Sequence, residues 1–349
     1  MNVLVTGATG FVGQRLAHRL ADGGATVHAL ARSPQKAEVL RRDRIVVFPG
    51  DVLDPASLAR AAAGCDRVYH AAALVSAWAK DPGDYARVNV GGTVNVLDAA
   101  KAAGAARVVI TSTAGVFGPS EGGLVDEATP RRIPFFNAYE SSKAEMHAAV
   151  RTRAGDGLHP VIVCPTRVYG PGPMVEGNAA TQMIARYIEG RWRALPGDGR
   201  RSGNYVHVDD VIDGHLAAME KGRAGEAYIL GGENATYREF FATLADVAGV
   251  HHRLFPTPIA LLMLFAHTEE KRAEWFGRKP LVTPSWVRRY SYDWANSSAK
   301  AAADLGYAPR SLRQGLAETV AWLRGRTPAP TPPEFGDFLP PSPEVPGQA

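Results

Sequence analysis

The sequence predicts an α/β chain, a doubly wound parallel sheet with a smaller C-terminal α/β cap, and three observations predict it. Gly7, Gly10 and Gly13 follow directly on the apolar run Val3-Leu4-Val5 and precede the amphipathic stretch 15–21, the strand–turn–helix order of a parallel unit. Strand-like and helical stretches then alternate through the first half of the chain. Finally, Tyr139 and Lys143 stand four apart on an expected helix, one element after a strand ending in Thr111-Ser112-Thr113.

The first of these is a dinucleotide site. In Thr6-Gly7-Ala8-Thr9-Gly10-Phe11-Val12-Gly13, Gly7 permits the tight turn out of the strand and Gly10 lets the backbone approach a pyrophosphate. Gly13 allows close helix–strand packing, and the helix N-terminus offers free N–H groups to the phosphates. Short runs rich in valine and isoleucine place strands over 3–5, 27–30, 45–48, 68–70, 108–111 and 161–164, with helices over 34–42, 55–63, 85–103 and 138–153. Later strands are expected over 205–208 and 227–230, and helices over 178–190, 237–249, 256–276 and 312–324. The chain therefore divides into a dinucleotide-binding domain over 1–170, to which 204–230 returns, and a substrate cap over 171–203 and 231–326. The remaining segment, 327–349, holds eight of the 25 prolines and reads as an extended tail.

Composition excludes several classes. With 46% hydrophobic and 21% charged residues the chain is neither disordered nor fibrous. The net charge of +4 comes without a dense basic run, which argues against a nucleic-acid partner and suits anionic cofactors. Cys65 and Cys164 lie far apart in apolar settings, so a reducing, cytoplasmic location is expected. The first strand begins at once, leaving no room for a signal peptide. The apolar run 259–266 is far below the ~20 residues of a spanning helix, so no integral membrane segment is expected, though a weak membrane-surface contact there is open.

The G-x-x-G-x-x-G spacing, together with Tyr139-Glu140-Ser141-Ser142-Lys143, resembles the extended short-chain dehydrogenase/reductase family, and the likeness covers about 1–325. Within it the chain looks most like the dihydroflavonol reductase and 3β-hydroxysteroid dehydrogenase branch. The resemblance implies that Tyr139 gives or takes the proton of the substrate oxygen, that Lys143 holds the nicotinamide ribose, and that Thr113 orients the substrate oxygen. Physically, a tyrosine with a reference pKa of about 10 needs a nearby cation to exchange protons near neutrality. Ser112 reads as a cofactor-side or structural hydroxyl. Asp51 and Val52 resemble the family's adenine contact, Ala71, Ala72 and Ala73 its small-residue floor, and Pro165 and Val168 part of the loop that closes over the nicotinamide. Asn89 matches a position that supports the sheet near the site.

Arg32 stands, with Lys36 close by, where an NAD-preferring enzyme usually carries an acid. An arginine fork there suits a 2′-phosphate, so NADP(H) is favoured over NAD(H). Trp78, Asn137, Tyr169 and Asn178, with Phe135, Phe136 and Met174, are candidates to line a pocket for a small-molecule substrate. His207, in a segment that the resemblance makes mainly architectural, is not expected to be catalytic, and the pair His251-His252 has no Cys or carboxylate pattern around it, so no metal is expected. A homodimer through the 85–103 and 138–153 helices would follow the family. The expected activity is oxidoreduction of a ketone or alcohol. The alternatives are a nucleotide-sugar epimerase or dehydratase using the same residues, and a non-catalytic dinucleotide sensor.

Overall fold

The structure, a computed structural model, describes residues 1–325 apart from Ala77, Asp156 and Arg278; the proline-rich segment lies outside the described residues. In chain order the strands are β1 (Asn2–Thr6), β2 (Thr26–Ala31), β3 (Ile45–Pro49), β4 (Arg67–His70), β5 (Arg107–Thr111), β6 (His159–Pro165), β7 (Arg167–Tyr169), β8 (Ala194–Pro196), β9 (Ser202–His207), β10 (Ala227–Leu230), β11 (Glu233–Thr236) and β12 (Phe255–Thr257). The helices are α1 (Phe11–Asp22), α2 (Pro34–Ala37), α3 (Pro55–Ala62), α4 (Gly83–Ala86), α5 (Gly92–Ala102), α6 (Ala138–Arg151), α7 (Ala179–Ile188), α8 (Val208–Lys221), α9 (Tyr237–Ala248), α10 (Ile259–Phe276), α11 (Pro284–Arg288), α12 (Ala299–Leu305) and α13 (Leu312–Arg324).

Seven strands form one parallel sheet in the order β10-β6-β5-β4-β1-β2-β3. Chain order reverses between β1 and β4, and in such a sheet the crevice at the reversal is where a ligand binds. Strand residues alternate between the two faces. Val3, Val5, Val27 and Ala29 pack against Leu16, Val211 and Met219 on one side, while Leu4, Leu30, Val68 and Ile110 pack against Leu58, Leu97 and Met146 on the other. Covering both faces is what a parallel sheet requires. Helices α1 and α8 are further tied by Arg15 to Asp209 at 2.5 Å and Arg19 to Asp213 at 2.9 Å.

The cap has its own core of Tyr187, Tyr205, Tyr237, Phe240, Phe241 and Leu316. It also has its own strands, a three-stranded sheet β11-β9-β7 and the pair β12-β8. Of the segment 204–230, only α8 and β10 rejoin the main fold, because β9 pairs with β7 and β11 instead. Local sequence bends other expectations too. The expected helix over 34–42 becomes α2 and a 3₁₀ turn Glu38–Leu40. The one over 85–103 is interrupted by a π-turn at Arg87–Gly91. The one over 256–276 gives up its start to β12, since Pro258 precedes the first turn. In α10, Leu262 and Ala266 pack against Val287 while Leu261 and Leu264 stay exposed. Among the described residues, no helix is long and apolar enough to cross a membrane.

Candidate active site

The turn after β1 is built so tightly that only glycine fits. Gly7 has φ +69°, and a Cβ on it would lie 2.5 Å from the Ala72 nitrogen; one on Gly13 would lie 2.1 Å from the Gly7 carbonyl oxygen. These contacts seat α1 against the ends of both β1 and β4, at the switch point. Helix α1 begins at Gly10 with no side-chain cap, so its first N–H groups face the crevice without a side-chain acceptor. The residues therefore fit a dinucleotide pyrophosphate. Phe11 is buried and Val12 half-buried, so these two act through packing. Below the crevice a buried chain of hydrogen bonds joins Thr6 to His70 Nδ1 at 2.7 Å and His70 Nε2 to Thr93 at 2.9 Å. Burial lowers His70 to about 3, which keeps it neutral and able to both donate and accept.

At the ends of β2 and β3, Arg32 lies 4.0 Å from Asp51, and the Arg32 side chain is 79% exposed. It is held by no strong pair and is available to a ligand phosphate. Lys36 is also exposed, in the α2 turn capped by the Ser33 hydroxyl. Val52 packs on Gly92 and its carbonyl accepts from Asn95 at 3.0 Å. Ala71 to Ala73 line the half-buried run after β4.

Across the switch point, β5 delivers Thr113 and α6 delivers Tyr139 and Lys143. Thr113 caps the 3₁₀ turn Ala114–Phe117, its Oγ1 accepting from the Gly115 N–H at 3.1 Å. That leaves its proton free to donate, with the Tyr139 phenol close by. Burial pushes the phenol up to about 12, against the pull of Arg289 and Thr113. Lys143 is buried, and its Nζ donates to the Thr111 carbonyl at 2.9 Å. Burial lowers its ammonium to about 8. The cation acting on Tyr139 is therefore Arg289, not the lysine of the Tyr-x-x-x-Lys pair, because Lys143 is drawn to the strand end. Its other protons, one of them drawn to the weak acceptor Met146 Sδ at 3.8 Å, can turn to ligand hydroxyls. Ser112 turns away, its hydroxyl 2.7 Å from His147 Nε2.

Asn89 sits in the π-turn, a feature often found at functional sites. Its side chain accepts from Leu74 N at 2.8 Å and donates to Ser142 at 2.9 Å. It thus clamps the loop after β4 to α6. Sequence reasoning left Glu140 and Arg289 without a role. Glu140, 1% exposed, takes Arg131 at 2.8 Å and pairs with Arg289 from the far end of the cap. Arg289 also lies 3.8 Å over the Trp294 ring. No local signal marks this triad, since its members come from three separate stretches of chain.

The expected pocket residues divide. Asn137 caps α6, its Oδ1 accepting from Glu140 N at 2.9 Å, with its buried Nδ2 unpartnered. Trp78 is half-buried in a loop pinned by Ser76 and Tyr85. Phe136 packs on Tyr292 and Trp294, with ring centres 5.2 and 5.8 Å away; Phe135 and Met174 are exposed. Tyr169 and Asn178 do not line an open cleft. Tyr169 is 1% exposed with its hydroxyl toward the Leu312 carbonyl, and Asn178 is fully buried, donating to the Pro173 carbonyl at 3.2 Å. Both hold the cap together. Pro165 is buried at the end of β6, and Val168 is half-buried in β7.

A parallel sheet with a glycine cradle at its switch point, and a hydroxyl–tyrosine–lysine set across from it, defines an NAD(P)-dependent enzyme of the extended short-chain dehydrogenase/reductase type. The chain belongs to the NAD-dependent epimerase/dehydratase family, whose signature matches residues 3–231. It is 32% identical over 326 residues to a Synechocystis protein provisionally named dihydroflavonol 4-reductase, covering 92% of this chain and 94% of that one. It is also 32% identical to sterol demethylase protein B of Methylococcus capsulatus, covering 93% and 99%. The crystal structure of gox2253 is similar at a TM-score of 0.77 and 33% identity, covering 92% of this chain and 97% of that one. The relatives span reductases and nucleotide-sugar dehydratases.

Proposed function

We propose that this protein is an NADP(H)-dependent oxidoreductase that interconverts a ketone and an alcohol on a small, hydrophobic substrate. The observation that carries the reductase reading over the nucleotide-sugar alternative is Gly203. Many nucleotide-sugar enzymes of the family place a phosphate-clamping arginine there, two residues before the aromatic of the Tyr205-Val206-His207 segment. The flanking arginines do not replace it: Arg201 is held by Asp293 at 2.7 Å, and Arg200 lies 3.5 Å from Asp198.

In this reading the glycine turn and the α1 N-terminus hold the pyrophosphate, and Arg32 with Lys36 holds the 2′-phosphate. Lys143 turns its remaining protons to the nicotinamide ribose. The nicotinamide, when bound, supplies or accepts a hydride. Thr113 donates to the substrate oxygen and aligns it with Tyr139, which protonates that oxygen in reduction and deprotonates it in oxidation. The Arg289 guanidinium, steadied by Glu140, favours the phenolate that remains. A sensor would need no such proton donor.

Thermal unfolding in the presence of ligands tests the choice. NADPH is expected to raise Tm, whereas UDP-glucose and dTDP-glucose leave it unchanged with or without the dinucleotide. Stabilisation by either nucleotide sugar would favour the epimerase or dehydratase.

A further inference from the structure

The cap holds a cation that no acid among the described residues is shown to pair with. Arg167, half-buried on β7, lies 5.1 Å from the Tyr205 ring centre and 5.2 Å from that of Tyr237. Its Nη1 donates to the Tyr205 hydroxyl at 3.0 Å. The groups acting electrostatically on it are tyrosines, not acids. Two acids of the cap are engaged elsewhere: Asp293 with Arg201 and Ser202, Glu239 with the Thr236 cap. Even a half-buried charge gains from a counter-charge.

Room for this guanidinium comes from Gly203. Strands β7 and β9 run parallel with Arg167 opposite Tyr205, and 203 shares the face of 205. A Cβ on residue 203 would lie 3.1 Å from Arg167 Nη1. The strand that lacks an arginine thus makes space for one reaching over from its neighbour. Tyr237 continues to Tyr290, with ring centres 5.8 Å apart. Tyr290 adjoins Arg289, which is paired to Glu140, the residue after Tyr139. Tyr290 acts on both Arg167 and Arg289, and Arg289 acts on Tyr139, so the cation and the phenol border one cluster.

We propose that Arg167 binds a carboxylate on the substrate, so that the ketone or alcohol turned over is that of an organic acid. The proposal deepens the oxidoreductase reading and rests on it for the reacting group, but not for the anion. A guanidinium has five N–H donors, and with Tyr205 and Tyr237 as its polar neighbours it keeps donors for a planar carboxylate. One such cation suits a single carboxylate; a diphosphate would need a second, and Arg201 is taken.

Calorimetric titration of the full chain with NADP⁺ present, using decanoate and methyl decanoate as probes, tests this. Wild type is expected to bind the acid about tenfold or more tightly than the ester, and Arg167→Gln to remove that difference by weakening the acid alone. Arg167→Lys should recover only part of it, lacking the fork. Gly203→Ala, which keeps the arginine but crowds Nη1, should also weaken decanoate selectively, and it covers the case in which Arg167→Gln fails to fold. Equal affinity for acid and ester, no measurable decanoate binding, or acid binding indifferent to Arg167→Gln would each overturn the assignment. So would displacement of decanoate by UDP-glucose in wild type but not in Arg167→Gln, which would give the cation to a diphosphate. Failure to reduce hydrophobic ketones of either kind, neutral or carrying a carboxylate, with NADPH would count against the oxidoreductase reading and leave the acid–ester difference standing.

Discussion

Tyr139 is the residue on which the chemistry turns, and its surroundings separate its role from those of its neighbours. It lies beside Thr113 and feels the Arg289 charge, while Lys143 is anchored to the Thr111 carbonyl. Tyr139→Phe is expected to lower turnover by ~100-fold or more with dinucleotide affinity nearly unchanged, since it removes the proton donor but no phosphate contact. Lys143→Ala should weaken both. Steady-state rates with direct titration of cofactor binding read the two effects, and near-wild-type activity of Tyr139→Phe would remove it from the mechanism. Arg32→Asp is expected to shift the ratio of dissociation constants from NADPH toward NADH, by replacing a phosphate donor with a ribose-hydroxyl acceptor. If wild type already binds NADH as well as NADPH, the cofactor preference fails. Tyr139, Lys143 and Thr113 were legible because each lies in a short motif. Glu140, Arg289 and Arg167 were not: each owes its importance to residues distant in sequence, and none has an informative local pattern.

At the scale of elements, α6 is the joint between domain and cap. Its N-terminal turn is capped by Asn137 and holds Glu140 between Arg131 and Arg289. Glu140 is 1% exposed, and the two guanidiniums are 11% and 18% exposed. Removing the shared carboxylate leaves two like charges facing each other out of water, so Glu140→Gln should cost about 3–5 kcal/mol of stability. Chemical denaturation reads it; an unchanged midpoint would mean that the triad is not structural. The main strands were visible because valine- and isoleucine-rich runs between helical stretches have few other solutions. The short strands β7, β8, β11 and β12 were missed because three or four residues show no period, and their pairing is decided by the cap's tertiary packing. Asn89's π-turn was likewise hidden inside a stretch that reads as one continuous helix.

For the whole molecule, acid stability follows from histidines buried in neutral form. Burial lowers His70 and His147 to about 3 and His207 and His215 to about 4. In the unfolded chain each titrates near 6.5, so below that pH the unfolded state binds more protons than the folded one. Their contribution is fully present above about pH 6.5 and is lost as pH falls toward the folded values, at up to about 1.4 kcal/mol per pH unit for each histidine. Tm should therefore fall between pH 7 and 5, before most carboxylates titrate; a Tm that is flat or rises over that range would contradict the buried neutral state. The parallel, doubly wound sheet and its glycine turn were readable from sequence, whereas the order of its strands and the cap's path were not, because β9 leaves the main sheet and β10 returns to it.

The central claim is that this fold reduces or oxidises a free substrate rather than rearranging a nucleotide sugar. The most direct test supplies purified protein with NADPH deuterated at the transferring carbon and a hydrophobic ketone, including one that carries a carboxylate, and follows cofactor and product together. The account predicts one NADPH consumed per alcohol formed, with the deuterium on the new carbinol carbon. Interconversion of a UDP- or dTDP-sugar without net consumption of cofactor, and no label passed to any ketone, would contradict it.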